Sequence, residues 1–250
     1  MFTQPGNRIY HYCKLSTAIE QILLYKRLLL SPIINTNDPR ENKSFSFGAT
    51  YLDNVDIGNL DERNEEISKI LREDCKIISF TEDSRPSFWG YESSRMWSYY
   101  GDNHKGLCLE LDKSEFLKEN ATIINKNLFQ KIDYYEFDPL NPIKSRFVDH
   151  TKMVNMGKEQ YLQNEFRFEH LEHLYFTKNK EWESEHETRL VHFSKTEENE
   201  YCSIENCIRN IYLGVDFHLS YLPSIKALCP GIDLSKLRFR DVRLVPFPLD

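Results

Sequence analysis

The densest set of residues able to do chemistry is Lys178-x3-Trp182-x2-Glu185-His186-Glu187-Thr188-Arg189-Leu190-Val191. A turn carrying two carboxylates runs directly into an apolar strand. Residues two apart in a strand share a face, so Glu185, Glu187 and Arg189 line up on one side if the strand begins early. Three ionisable groups on one face suit an exposed sheet edge. They suit equally a strand bordering an active site, and the pattern leaves both open.

Other spacings carry less. His170-x2-His173, beside Glu169 and Glu172, has a metal-ligand spacing, but it also fits a solvated face of an acidic helix. Glu41-Asn42-Lys43 has the E-x-K form of Mg²⁺ nucleases, with Asp38 too near in sequence for their two-strand geometry. A metal-dependent nuclease would use Asp38, Glu41 and Glu110, since such sites need separated carboxylates converging on the ion. Gly101 and Gly106 have phosphate-loop spacing, but Leu107-Cys108 follows where Lys and Ser/Thr are required. No two glycines sit two apart, which excludes the Rossmann fingerprint. Neither G-x-S-x-G nor H-E-x-x-H occurs.

These residues need a scaffold, and 250 residues suffice for a sizeable core without disulfides or structural metals. The 16 Phe and 14 Tyr argue against disorder. A net charge of −7 disfavours non-specific coating of nucleic acid. The most apolar stretch, Ile22 to Ile34, is interrupted by Lys26, Arg27 and Pro32, so no membrane span is expected. Met1 to Gly6 shows no charged-then-apolar leader, and the expectation is a cytoplasmic protein with six reduced cysteines.

Apolar alternation predicts strands at Arg8–Cys13, Leu28–Ser31, Lys76–Thr81, Gly106–Leu111, Gln130–Tyr135, Thr188–Phe193, Asn210–Gly214 and Arg238–Pro246. Helices are expected at Thr17–Arg27, with Thr17 and Glu20 in capping-box spacing, and at Leu60–Glu73, Lys113–Glu119 and Ser220–Leu228. Residues 85–100 read as an ordered loop leading into a short helix. From Thr151 to Thr177 the chain is helical, with Met153, Met156, Leu162, Phe166, Leu171 and Leu174 facing inward. Strands and helices mix without βαβ alternation, which predicts an α+β single domain over 1–250 with a mixed or antiparallel sheet and a helical insertion at about 138–178.

Three separated motifs resemble a bacterial family, the domain of unknown function 2971. They are Tyr10-His11-Tyr12 with Ser31-Pro32 and Asn37-Asp38-Pro39-x-Glu41; Met96-Trp97-Ser98-x-Tyr100-x-Asp102-x-His104-x-Gly106; and the Lys178 to Arg189 cluster. The family usually has arginine where Cys13 stands. Its layout is similar to that of ADP-ribosyltransferases, which place Arg or His on a first strand, Ser or Tyr on a second, and E-x-E at the start of a late strand. That resemblance implies His11, Ser31 and Glu185-x-Glu187 as the matching positions, with Glu187 catalytic. It implies NAD as substrate, a macromolecular target of protein or nucleic acid (or plain hydrolysis of NAD), and a toxin or phage-defence setting.

Such chemistry would use these types well. Breaking the nicotinamide–ribose bond develops oxocarbenium character, which an adjacent carboxylate stabilises. Arg189 or Lys178 would keep that carboxylate ionised, and it could also accept the nucleophile's proton. Tyr12, Trp97 or Tyr100 would stack on nicotinamide, and Asn37, Asp38 and His104 would converge on the same cleft. Plainer readings stand beside these. His11 fits a hydrogen-bonded strand histidine, Trp97 and Tyr100 fit core positions, and Asn37-Asp38-Pro39 fits a turn. A non-catalytic binding module, with Glu185, Glu187 and Arg189 as a structural ion-pair network, remains the alternative of another class.

Overall fold

The computed structural model describes residues 6–43, 45, 47–49, 60–84, 88–136 and 147–249. Nine strands form one sheet, numbered here in chain order: β1 Arg8–Cys13, β2 Ser31–Pro32, β3 Cys75–Glu82, β4 Leu107–Asp112, β5 Phe129–Lys131, β6 Glu187–Phe193, β7 Ile208–Leu213, β8 Asp233–Arg240 and β9 Arg243–Pro248. Their order is β9-β8-β7-β4-β1-β3-β6-β5, with β2 also on β3. Every described pairing in this sheet is antiparallel except β7 with β8. The architecture is thus a mixed sheet with helices packed on both faces.

Register places the site. On one edge of β3, β1 pairs only with Thr81 and Glu82, and β2 only with Ile77 and Lys76. Ile78, Ser79 and Phe80 have no strand partner on that edge, so the sheet splits there. One face of the sheet, carrying Ile9, Cys13, Ile78, Phe80, Leu109, Leu190 and Ile211, has a single continuous core with Ala18, Ile22, Leu23, Phe116 and Ile225. Two separate clusters cover the opposite face. Tyr10, Tyr12, Cys108 and Tyr212 pack with Tyr91, Met96 and Trp97. Cys75, Ile77 and Val191 pack with Ile67, Leu71, Leu162, Phe166, Leu174 and Tyr175. Between those clusters the polar side chains of β3 and β6 collect, Ser79, Glu187 and Arg189 among them.

Most expected elements are present, and the departures have local causes. The first helix spans Leu15–Thr17 and continues, more widely wound, over Ala18–Leu23. Thr17 is itself helical and caps nothing, and the helix stops where Lys26 takes φ +50 and Arg27 enters a strand. Leu28–Ser31 divides: Arg27–Leu29 pairs with Tyr201–Ser203, whereas Ser31 and Pro32 join β3. Gln130–Tyr135 also divides, because Asp133–Tyr135 pairs in parallel with Thr177–Asn179. The carboxyl-terminal strand is a hairpin, β8 to β9, turning at Asp241 with φ +55. The helical region runs from His150 to Tyr175 in short pieces broken at Gly157, with all six expected inward residues in or against the adjoining core. Its expected beginning, 138–146, lies outside the described residues.

Gly106 illustrates close packing in place of phosphate binding. Asp102, Asn103 and His104 all adopt the left-handed conformation, and Gly106 N–H closes this turn on Gly101 O at 2.8 Å. A Cβ on Gly106 would lie 2.2 Å from Cys13 O, a backbone atom of β1. Gly106→Ala should therefore cost about 1–3 kcal/mol, the scale for overpacking, read as a lower urea midpoint; an unchanged midpoint would show that β1 and β4 part easily.

Candidate functional site

A cavity of about 230 Å³ opens where the sheet splits, near the lower limit for small-ligand pockets. His11 and Tyr12 of β1, Ser31 of β2, Asn37, Tyr100, Glu185, Glu187 and Arg189 all line it, together with Ser79 and Lys178. Three expected residues do not. Asp38 is buried and accepts Arg40 N–H at 2.9 Å, capping the helix Pro39–Asn42. Trp97 is wholly buried beneath Tyr12, with Nε1 donating to Tyr91 O at 2.8 Å, so its ring is core and cannot stack on a ligand. His104 sits in the left-handed turn with its ring stacked on Trp97. Burial lowers its pKa against the pull of Asp216.

Glu187 opens β6, and Glu185 ends the preceding 3-10 turn Lys180–Glu185, so the strand does not begin early. A left-handed His186 between them brings both carboxylates to Lys178 instead. Lys178 Nζ lies 2.9 Å from Glu185 Oε2 and 2.7 Å from Glu187 Oε2. Arg189 donates from Nε to Glu187 Oε1 at 2.7 Å and from Nη2 to Oε2 at 3.2 Å. Its Nη1 donates to Glu41 Oε1 at 2.6 Å and to Tyr175 O at 2.9 Å. Tyr100 Oη donates to Glu185 Oε1 at 2.8 Å and accepts from Asn37 Nδ2 at 3.4 Å.

Ser79 ties the two sides of the split together. Its Oγ donates to Glu187 Oε1 at 2.6 Å, and its carbonyl lies 3.2 Å from His11 Nδ1. The serine touching Glu187 is thus Ser79, while Ser31 lines the cavity on the far strand. Ser79 is exposed although its neighbours in β3 are buried, because the splayed strands leave it open to the cavity. The strand pattern alone gave no sign of it.

Charge states follow from these contacts. Burial alone would raise the Glu187 pKa, but Arg189 and Lys178 outweigh it and hold the carboxyl at about 2. Lys178 and Arg189 are both pushed up by their carboxylates despite burial. Desolvation lowers the His11 pKa, only partly offset by the Ser79 carbonyl, so its imidazole is neutral at neutral pH. Burial and the Glu185 charge raise the Tyr100 pKa, keeping its hydroxyl a donor. Because the folded Glu187 value lies below the ordinary 4.5, its ion pairs contribute fully above that value and are lost as pH falls toward 2. Urea midpoints should drop across that window, and less steeply in Glu187→Gln; equal slopes would place the acid-sensitive groups elsewhere.

The metal spacings do not assemble. Glu41 pairs with Arg189, while Glu110 bonds Tyr212 Oη at 2.6 Å within the Tyr10 cluster. The ring of His170 packs on Phe166. Among the described residues no group of three His, Cys, Asp or Glu could hold a metal ion, and no helix is long and apolar enough to cross a membrane.

Comparison with known proteins supports the family resemblance. Residues 96–190 match the DUF2971 family model, described as a protein of unknown function. This stretch holds Tyr100, Lys178, Glu185, Glu187 and Arg189; His11, Ser31 and Asn37 lie before it. The chain matches no curated protein and no solved structure.

Proposed function

We propose that the chain is an ADP-ribosyltransferase-like enzyme that cleaves the nicotinamide–ribose bond of NAD. One observation carries the reading: Glu187 at the start of a late strand and His11 on the first strand face one cavity, bridged by Ser79. In this scheme the glycosidic electron pair leaves with nicotinamide, which departs neutral. The ionised Glu187 stabilises the oxocarbenium-like ribosyl group. A nucleophile on a macromolecule, or water, then bonds to the anomeric carbon and gives up its proton to Glu185. Neutral His11 and the Ser31 hydroxyl supply hydrogen bonds to a ribose or amide, and Tyr12 and Tyr100 supply aromatic surface. A toxin or phage-defence effector is the setting this reading implies.

The structural-network reading has its own support, since both Glu187 oxygens are already occupied by Ser79, Arg189 and Lys178. Nicotinamide release from NAD by the purified chain separates the two. Release that depends on Glu187 supports the enzyme; no release at any NAD concentration favours the network. Tyr100→Ala should weaken NAD affinity by about 0.5–1.5 kcal/mol through lost aromatic contact. Tyr100→Phe, which keeps the ring and loses only the hydroxyl's bonds to Glu185 and Asn37, should retain most of it. Calorimetric titration giving unchanged affinity for Tyr100→Ala would leave this ring a purely architectural role.

A further inference from the structure

The buried ion pairs beside the cavity do not cancel. Glu41, Glu185 and Glu187 supply three negative charges, Lys178 and Arg189 two positive ones, leaving a net of −1, and neighbouring Arg40 and Asp38 add one charge of each sign without changing it. Without Glu41 the other four sum to zero. Glu41 is 1% exposed; one oxygen accepts from Arg189, and the other, Oε2, has no hydrogen-bond partner among the described residues. A neutral acceptor would satisfy Arg189 Nη1 as well, whereas a buried carboxylate with an orphaned oxygen is costly. The feature that sets Glu41 apart is therefore its charge. Sequence separation hides this contact, because Glu41 and Arg189 are 148 residues apart.

The cavity that Arg189 lines is largely apolar and aromatic elsewhere, with His11, Tyr12, Phe80, Met96 and Tyr100 on its surface. Aromatic faces and surplus negative charge together complement a planar cation. We infer that the cavity receives a small aromatic cation of the pyridinium type, and that Glu41, acting through Arg189, is the positioning residue that gives the cavity its preference for charge. This deepens the reading above and rests on its choice of cavity, since an oxidised nicotinamide ring is such a cation. The preference itself requires no bond cleavage.

The test compares wild type, Glu41→Gln and Glu41→Asp by calorimetry at neutral pH and low salt. The probes are 1-methylnicotinamide, a cation, and 3-methylbenzamide, its neutral isostere. A unit charge roughly 10 Å away, at an effective dielectric of about 20, changes affinity by about tenfold. Wild type should prefer the cation by about that factor, Glu41→Gln should lose most of the preference, and Glu41→Asp, which keeps the charge, should retain it. Equal affinities in wild type, binding of neither ring, or an undiminished preference in Glu41→Gln overturns the inference. The wild-type comparison decides even if Glu41→Gln does not fold. Cation preference without nicotinamide release leaves this inference standing and removes the enzymatic reading; release without cation preference does the reverse.

Discussion

Glu187→Gln should lower NAD turnover by roughly 10²–10³, the scale for removing one electrostatic stabiliser of a transition state. The substitution keeps size and an acceptor for Ser79 but removes the charge facing the ribosyl group. A partly exposed glutamate would change folding little when substituted, but Glu187 is only 4% exposed. The variant should therefore also lose about 1–3 kcal/mol of stability, the cost of leaving buried donors less well satisfied. It should still fold, because Arg189 keeps Glu41 and Lys178 keeps Glu185. Unfolding of the variant together with absence of NAD cleavage by wild type would hand the cluster to the structural reading.

Arg189→Met should be more damaging to the fold. This guanidinium is wholly buried and pairs with Glu187 and Glu41 at once. Methionine leaves two buried carboxylates with Lys178 as the remaining cation in contact with Glu187, and breaking a buried pair from one side costs about 3–5 kcal/mol. Arg189→Lys should recover only part of the loss, since an ammonium cannot reproduce the fork on Glu187 and the bond to Glu41 at once. Urea unfolding measures both variants; a loss below about 1 kcal/mol for Arg189→Met would mean that water reaches these carboxylates.

The parts of this site legible in the sequence are those set by local pattern. Alternating apolar residues located β1, β3, β4 and β6, and the E-x-E spacing ahead of β6 located Glu185, Glu187 and Arg189. What local pattern cannot contain is the partner across the sheet. Ser79 reads as one polar residue in Ile77-Ile78-Ser79-Phe80, and only the divergence of β1 from β2 makes it a cavity floor. Glu41 stands out in the sequence as part of an E-x-K spacing and of the Asn37-Asp38-Pro39-x-Glu41 motif, neither of which points to Arg189, the partner its short helix gives it. Trp97 and Tyr100 share an i, i+3 spacing that serves core and site alike, and tertiary packing sent one to each. The β8–β9 hairpin is not legible because Asp241-Val242 lacks the glycine or asparagine that marks most tight hairpins.

The most direct measurement is a crystal structure of the chain with an unreactive NAD analogue bound. The account predicts the nicotinamide riboside end in the cavity at the β1–β3 split. Its anomeric carbon should lie about 3–4 Å from a Glu187 carboxylate oxygen, the distance of a near-attack arrangement, with the amide or ribose within hydrogen-bond reach of His11. An analogue bound at a different surface, or a cavity that stays empty at saturating analogue while Glu187 remains locked to Arg189 and Lys178, would contradict it.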